Sequence, residues 1–133
     1  ISYIPLLGEL TASPTSGLLM TRLEYLFSKY PDGFFKYLEP LQFGHPDYTV
    51  GDTWVEELAF SKEAFRTAFD RIGVRWTSKS EFEKAQTSDV FGGKYYCSYY
   101  DRRSGRTFYY RNHKKLDELI ERIQSDLKEG GAA

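Results

Sequence analysis

Apolar side chains recur at steps of three and four residues in three segments of the chain, and this period predicts amphipathic helices. The first segment covers residues 17–30, and either Ser13 or Ser16 is a suitable N-cap for it. It ends at the turn Pro31-Asp32-Gly33. Residues 1–16, with two prolines and several Ser and Thr residues, are expected to form an irregular N-terminal arm.

The last segment predicts a C-terminal helix over residues 114–128, after the N-cap Asn112. Residues 129–133, with two glycines and two alanines, are expected to form a disordered tail. The helix carries an apolar stripe that either closes the core or pairs with a second copy of the chain. The residues of this stripe are Leu116, Leu119, Ile120, Ile123 and Leu127.

The middle segment is the second of two helices joined by a tight turn. Asp52 is the predicted N-cap of a short helix through Leu58, and Ser61 caps a second helix that stops at Gly73. This spacing is typical of a helix-turn-helix, and an ordinary helical hairpin is the alternative. Small or apolar residues are expected where the helices cross, namely Leu58, Ala64, Phe65 and Phe69. The exposed positions of the second helix are Lys62, Glu63, Arg66, Thr67, Asp70 and Arg71.

Strand-forming residues fill several of the remaining segments. Residues 34–38 predict a strand or a helical turn, and residues 74–77 predict a short strand directly after the second helix. Residues 80–86 are partly helical in pattern. Residues 95–100 and 107–111 predict two strands of a hairpin around a Ser-Gly turn. Helices together with a hairpin indicate the α+β class.

The aromatic residues of the hairpin divide between its two faces, because side chains alternate along a strand. Tyr95, Cys97 and Tyr99 share one face, and Tyr96, Ser98 and Tyr100 share the other. One face is expected to pack on the helices. The other is expected to offer hydroxyls to phosphates or, as an alternative, stacking surfaces to single-stranded bases.

The net charge is only −1, but the charges are unevenly distributed along the chain. Residues 1–60 contain three basic and eight acidic residues, and residues 116–133 contain two basic and five acidic ones. Residues 61–115 contain thirteen basic and six acidic residues, a net charge of +7. Such concentrated basic charge is typical of a nucleic-acid footprint, and chance clustering on solvated faces is the alternative.

This basic segment contains the candidate DNA-binding residues. The exposed side chains of the second helix suit phosphates and base edges in a major groove. Three arginines lie at the hairpin tip, as in a winged helix, whose wing contacts the phosphate backbone or the minor groove. The full set is Lys62, Arg66, Thr67, Arg71, Arg75, Arg102, Arg103, Arg106 and Arg111.

Two segments resemble a known family: TWVEELAFS at residues 53–61 and FRTAFDRIG at residues 65–73. With the apolar helix before them and the Tyr-rich hairpin after them, they look like the winged-helix domains of phage and plasmid replication proteins and mobile-element regulators. The resemblance covers roughly residues 17–120. It implies sequence-specific binding of double-stranded DNA in replication initiation or transcriptional control. The stretch of residues 77–93 is longer than the connection in a minimal winged helix.

Other classes of protein find little support in the sequence. With 133 residues the chain is expected to form a single domain, and no apolar run approaches the ~20 residues of a membrane span. His45 and Asp47 are a weak metal pair without a third ligand, and a single cysteine, Cys97, allows no intramolecular disulfide. We therefore expect a cytoplasmic protein without catalytic residues, metal or cofactor.

Two expectations concern partners. Paired half-sites are a common route to affinity for DNA, so a homodimer through the C-terminal helix is expected. The alternative to DNA binding is a winged helix used only to bind another protein, which fits the acidic outer segments of the chain.

Overall fold

The computed structural model describes residues 13–132, with side chains for residues 13–126, and confirms the α+β class. The described part of the chain contains five helices and one four-stranded sheet. The helices are α1 (Pro14–Lys29), α2 (Trp54–Leu58), α3 (Lys62–Ile72), α4 (Lys79–Ala85) and α5 (His113–Ala132). The strands are β1 (Phe34–Phe35), β2 (Gly73–Trp76), β3 (Tyr96–Asp101) and β4 (Arg106–Arg111). Residues 1–12 of the predicted arm, and Ala133, lie outside the described residues.

The sheet has the strand order β1-β4-β3-β2. β3 and β4 form the predicted antiparallel hairpin, with Ser98 opposite Tyr109, and β1 pairs with β4 through Phe34 and the same Tyr109. β2 runs parallel to β3, with Arg75 beside Ser98. Parallel neighbours need a crossover connection, and the long stretch between β2 and β3, which contains α4, supplies it.

Helices cover both faces of the sheet. On one face, Tyr96 and Tyr109 belong to the main core, which also contains residues of α1, α2, α3 and α5. On the other face, Cys97 and Tyr99 pack against Phe82 of α4 in a second cluster. The prediction that one face of the hairpin is open to ligands is therefore wrong, because α4 covers it. Within β3, only Tyr100 is exposed, at 43%.

The apolar stripe of α5 closes the main core. Leu116, Leu119 and Ile123 are each less than a tenth exposed and contact the core residues of the other helices. These three buried side chains support the alternative in which the stripe closes the core. The helix extends to Ala132, past the end that the sequence pattern predicted at residue 128.

The starts of two helices differ from the prediction by a few residues. Ser13 caps α1, accepting the backbone N–H of Ser16 at 3.3 Å, so the helix begins at Pro14 and not at residue 17. Thr53, not Asp52, caps α2, because its hydroxyl oxygen accepts the N–H of Glu56 at 3.3 Å. The Glu56 carboxylate in turn accepts the Thr53 hydroxyl at 2.8 Å, which is a variant of the capping box.

Candidate nucleic-acid interface

The orientation of α3 is set by its apolar side. Its buried residues are Phe65, Ala68, Phe69 and Ile72. The Phe65 ring stacks on Trp54 of α2 with ring centroids 5.2 Å apart, and Phe69 meets Tyr109 of β4 edge-on at 5.8 Å. These contacts hold one side of α3 against the sheet, so the opposite side faces solvent.

The solvent side of α3 presents the predicted basic residues. Arg66, Thr67 and Arg71 are exposed, as the helical period predicted. Within the described residues, neither Arg66 nor Arg71 has a carboxylate partner. Lys62 is half-buried, and its ammonium lies 3.9 Å from a Glu39 carboxylate oxygen, at the outer limit of an ion pair.

The tip of the β3–β4 hairpin presents two further arginines. Arg102 and Arg103 are exposed, and their guanidinium groups have no partner among the described residues. The turn itself is held by Asp101, whose two carboxylate oxygens accept the N–H of Arg103 at 3.1 Å and the hydroxyl of Ser104 at 3.0 Å. Gly105 completes the turn at a positive φ of 68°, a conformation that a residue with a Cβ rarely adopts.

The pairing of the strands shows how the solvent side of α3 relates to the hairpin tip. Arg75 of β2 lies beside Ser98 of β3, and its guanidinium group reaches Asp70 of α3. Tyr100 is two residues further along β3 on the same face of the sheet, directly before the hairpin turn. Arg75 thus links α3 to the face of the sheet on which Tyr100 lies.

Three predicted DNA-binding arginines lie in ion pairs instead. Arg75 makes a bidentate pair with Asp70 at 2.7 and 2.9 Å, on the surface. Arg106 binds Asp47 at 2.8 Å and lies 4.4 Å from the centroid of the Phe35 ring. The hydrogen bonds from Arg106 hold the pKa of Asp47 below its ordinary value.

Arg111 is the most enclosed of the three, with a side chain only 10% exposed. Its Nε–H is shared between the two carboxylate oxygens of Glu24 in α1, its Nη2 donates to the same carboxylate, and it also pairs with Asp117. The Tyr96 hydroxyl donates to the same Glu24 carboxylate at 2.8 Å. This arrangement ties α1 to the sheet, so Arg111 serves the fold in this structure.

A second buried charge, Lys36, was missed by the sequence analysis. Its ammonium donates to the Asp52 carbonyl at 2.8 Å and to the Glu57 carboxylate at 2.7 Å, and lies 5.0 Å from the Trp54 ring centroid. Lys36 thereby holds the start of α2 against β1. The available signal was a single charge inside the aromatic run of residues 34–38, as Glu24 was the one acidic residue among the apolar residues of α1.

Little in the described residues indicates other chemistry. No group of three or more His, Cys, Asp or Glu side chains there is arranged to hold a metal ion. His45 Nδ1 accepts the backbone N–H of Asp47 at 3.1 Å, while the Asp47 carboxylate binds Arg106 and Tyr37. Burial raises the pKa of the Cys97 thiol to about 12, which disfavours the nucleophilic thiolate at neutral pH. Among the described helices, none is long and apolar enough to cross a bilayer.

The described residues form an α+β structure in which the predicted DNA-binding arginines of α3 and two of those at the hairpin tip have no carboxylate partner among them. Comparison with protein-family models, with curated proteins and with solved structures finds no match to the chain.

Proposed function

We propose that the protein binds double-stranded DNA as a winged helix-turn-helix, with α3 as the recognition helix and the β3–β4 hairpin as the wing. The order α1, β1, α2, α3 and hairpin supports this assignment, as does the pairing of β1 with the hairpin. The segment of β2 and α4 is an insertion between the recognition helix and the wing.

The observation that carries the proposal is that some of the predicted DNA-binding arginines have carboxylate partners and others do not. Of the seven predicted DNA-binding arginines, Arg75, Arg106 and Arg111 have carboxylate partners, whereas the other four are exposed and have none among the described residues. These four are Arg66 and Arg71 on α3 and Arg102 and Arg103 on the hairpin tip. Unpaired guanidinium groups retain their full charge and all five donors for phosphates and base edges.

The arginines of α3 and those of the hairpin tip have different roles in this proposal. Arg66 and Thr67 lie on the helix that enters the major groove, where a bidentate arginine reads guanine. Arg102 and Arg103 lie on a turn and contact phosphates, which positions the protein without reading sequence. A role in replication initiation or transcriptional control is the part of the proposal that rests on the sequence pattern alone, through its resemblance to the winged-helix domains of phage and plasmid replication proteins and mobile-element regulators.

Fluorescence anisotropy with a labelled duplex of about 20 base pairs, roughly two helical turns, tests the proposal. The parent protein is expected to bind at about 50 mM salt and to weaken steeply as salt rises, because phosphate contacts release counterions. Replacing Arg102 and Arg103 by Ala is expected to weaken binding to every duplex and to flatten the log–log slope by roughly 0.9 for each phosphate that is no longer neutralised. Arg122→Ala, which removes an exposed charge from α5, is the matched control and is expected to bind like the parent.

Sequence reading is tested separately with Arg66→Ala. On a duplex selected from a random pool by the parent protein, this variant is expected to lose ~1–3 kcal/mol, and much less on random duplex. If the parent shows no duplex binding at about 50 mM salt, the proposal fails. That outcome is the one expected of a winged helix that binds only protein.

A further inference from the structure

A groove lies between α4 and the hairpin tip, with a volume of about 330 Å³. It follows from the topology: β2 and β3 are parallel, so both end at the same edge of the sheet. The chain leaves β2 at this edge and begins α4 there, after the N-cap Ser78, while β3 continues into the hairpin turn. The first turn of α4 therefore becomes one wall of the groove, and the hairpin tip becomes the other.

The charged groups in the groove are mainly positive and unpaired. Lys79 contributes an ammonium from α4, and Arg102 and Arg103 contribute guanidinium groups from the hairpin; none of the three has a partner among the described residues. Asp101 also lines the groove, but both of its carboxylate oxygens are used by the hairpin turn. Glu83 contributes the remaining negative charge.

A hydroxyl group completes the lining. Tyr100 is 43% exposed, and the described residues offer its hydroxyl no hydrogen-bond partner. Its oxygen lies 4.0 Å from where a Cβ of Gly105 would be, so the side chain leans over the hairpin turn. Three cations and a hydroxyl donor around a concave surface match the oxygens of a phosphate group.

We propose that this groove binds backbone phosphate of the duplex whose major groove is contacted by α3, with Lys79 and Tyr100 as ligands beside the two hairpin arginines. The inference rests on the proposed function and adds the α4 insertion to the DNA-binding surface. The position of the groove supports it, because Tyr100, which lines the groove with Lys79, lies on the same face of the sheet as Arg75, whose guanidinium group reaches Asp70 of α3.

Two substitutions test the groove, one that removes a positive charge and one that removes a negative charge. Both are measured by fluorescence anisotropy with the labelled duplex. Lys79→Ala is expected to weaken binding roughly fivefold to tenfold at low salt and to reduce the log–log slope by about 0.9. Glu83→Gln is expected to tighten binding roughly threefold, because it removes the unneutralised negative charge from the groove. Lys84→Ala is the matched control: Lys84 is an exposed lysine of the same helix but does not line the groove, and its loss is expected to leave affinity unchanged.

The outcomes separate this inference from the proposed function. If Lys79→Ala binds like the parent, or loses no more than Lys84→Ala, the groove is not a phosphate site, even where the hairpin variant still loses affinity. If the parent does not bind duplex, both proposals fail together. Tyr100→Phe is expected to weaken duplex binding roughly threefold through loss of the hydroxyl. Parent affinity in Tyr100→Phe, with loss only in Tyr100→Ala, overturns the hydroxyl contact in favour of base stacking.

Discussion

At the scale of single residues, the cost of losing an ion pair depends on how much water reaches it. The Arg111–Glu24 pair has side chains 10% and 13% exposed, whereas those of the Arg75–Asp70 pair are 42% and 49% exposed. Both are multidentate pairs between the same types of group. A buried charge that loses its partner is left without solvent, while an exposed one is hydrated again.

Glu24→Gln is therefore expected to lower the free energy of unfolding by about 3 kcal/mol, because Arg111 keeps its charge in a site with little water and retains only the exposed Asp117 as a carboxylate partner. Asp70→Asn, the matched control on the exposed pair, is expected to cost less than about 1 kcal/mol. Urea denaturation of the two variants measures both values. Equal losses would show that burial of the Arg111–Glu24 pair makes no difference to its contribution.

The Asp47–Arg106 pair predicts a dependence on pH. Hydrogen bonds from Arg106 hold the pKa of Asp47 below its ordinary value in the folded protein. The pair therefore stabilises the fold fully above the unfolded pKa of about 3.9, and this contribution is lost as pH falls through the lower folded value.

Arg106→Ala is expected to raise the pKa of Asp47 towards about 3.9, as read by NMR titration of its carboxyl carbon. Arg102→Ala removes a neighbouring arginine that has no contact with Asp47, and is expected to leave this pKa unchanged. An unchanged Asp47 pKa in Arg106→Ala would rule out the ion pair as the cause of the shift.

At the scale of elements, the connection between α2 and α3 determines how the proposed recognition helix is presented. The connection turns through Ala59, which has φ of 56° and ψ of 34°, in the left-handed region. A residue with a Cβ is strained there, and glycine is not. Ser61 then starts α3 by accepting the N–H of Ala64 at 3.1 Å.

Ala59→Gly is therefore expected to stabilise the protein by roughly 0.5–1 kcal/mol, since relief of strain exceeds the added entropy of the unfolded chain. The same substitution inside α3, Ala64→Gly, is expected to destabilise it by about 1 kcal/mol, because its backbone is helical. Thermal unfolding followed by circular dichroism compares the two. Destabilisation by both substitutions would contradict the left-handed conformation of Ala59.

At the scale of the whole molecule, α5 seals the core between the helices and the sheet. Leu116 is 1% exposed and belongs to the same cluster as Trp54, Phe69 and Tyr96. The three buried members of the stripe are therefore not free to pair with another copy of the chain. The homodimer through this helix stays a prediction.

Leu116→Ala is expected to lower the free energy of unfolding by ~2–5 kcal/mol, because the smaller side chain leaves a cavity in the core. The decrease is expected to be the same at every protein concentration, as measured by urea denaturation over a wide concentration range. A decrease that grew smaller with rising concentration would show instead that Leu116 lies in an interface between copies.

The amino-acid sequence by itself determined the elements whose causes are local. The period of α3, its cap Ser61, the turn before it and the exposure of Arg66, Thr67 and Arg71 were all predicted, because helices and caps depend on residues close together in the chain. The hairpin was predicted for the same reason. The cap of α2 was misplaced by one residue because Asp52 and Thr53 are both good caps, and in the structure it is the Thr53 hydroxyl that accepts the N–H of Glu56.

Only the tertiary structure decided which predicted arginines are unpaired. Arg106 meets Asp47 across 59 residues and Arg111 meets Glu24 across 87 residues, separations over which no local pattern indicates a contact. The parallel pairing of β2, which places α4 over the open face of the hairpin and forms the groove at its tip, is equally non-local. The spacing of apolar side chains along an element determines which of its sides faces out. The packing of elements that are distant in the chain determines what covers that side and which of its charges are neutralised.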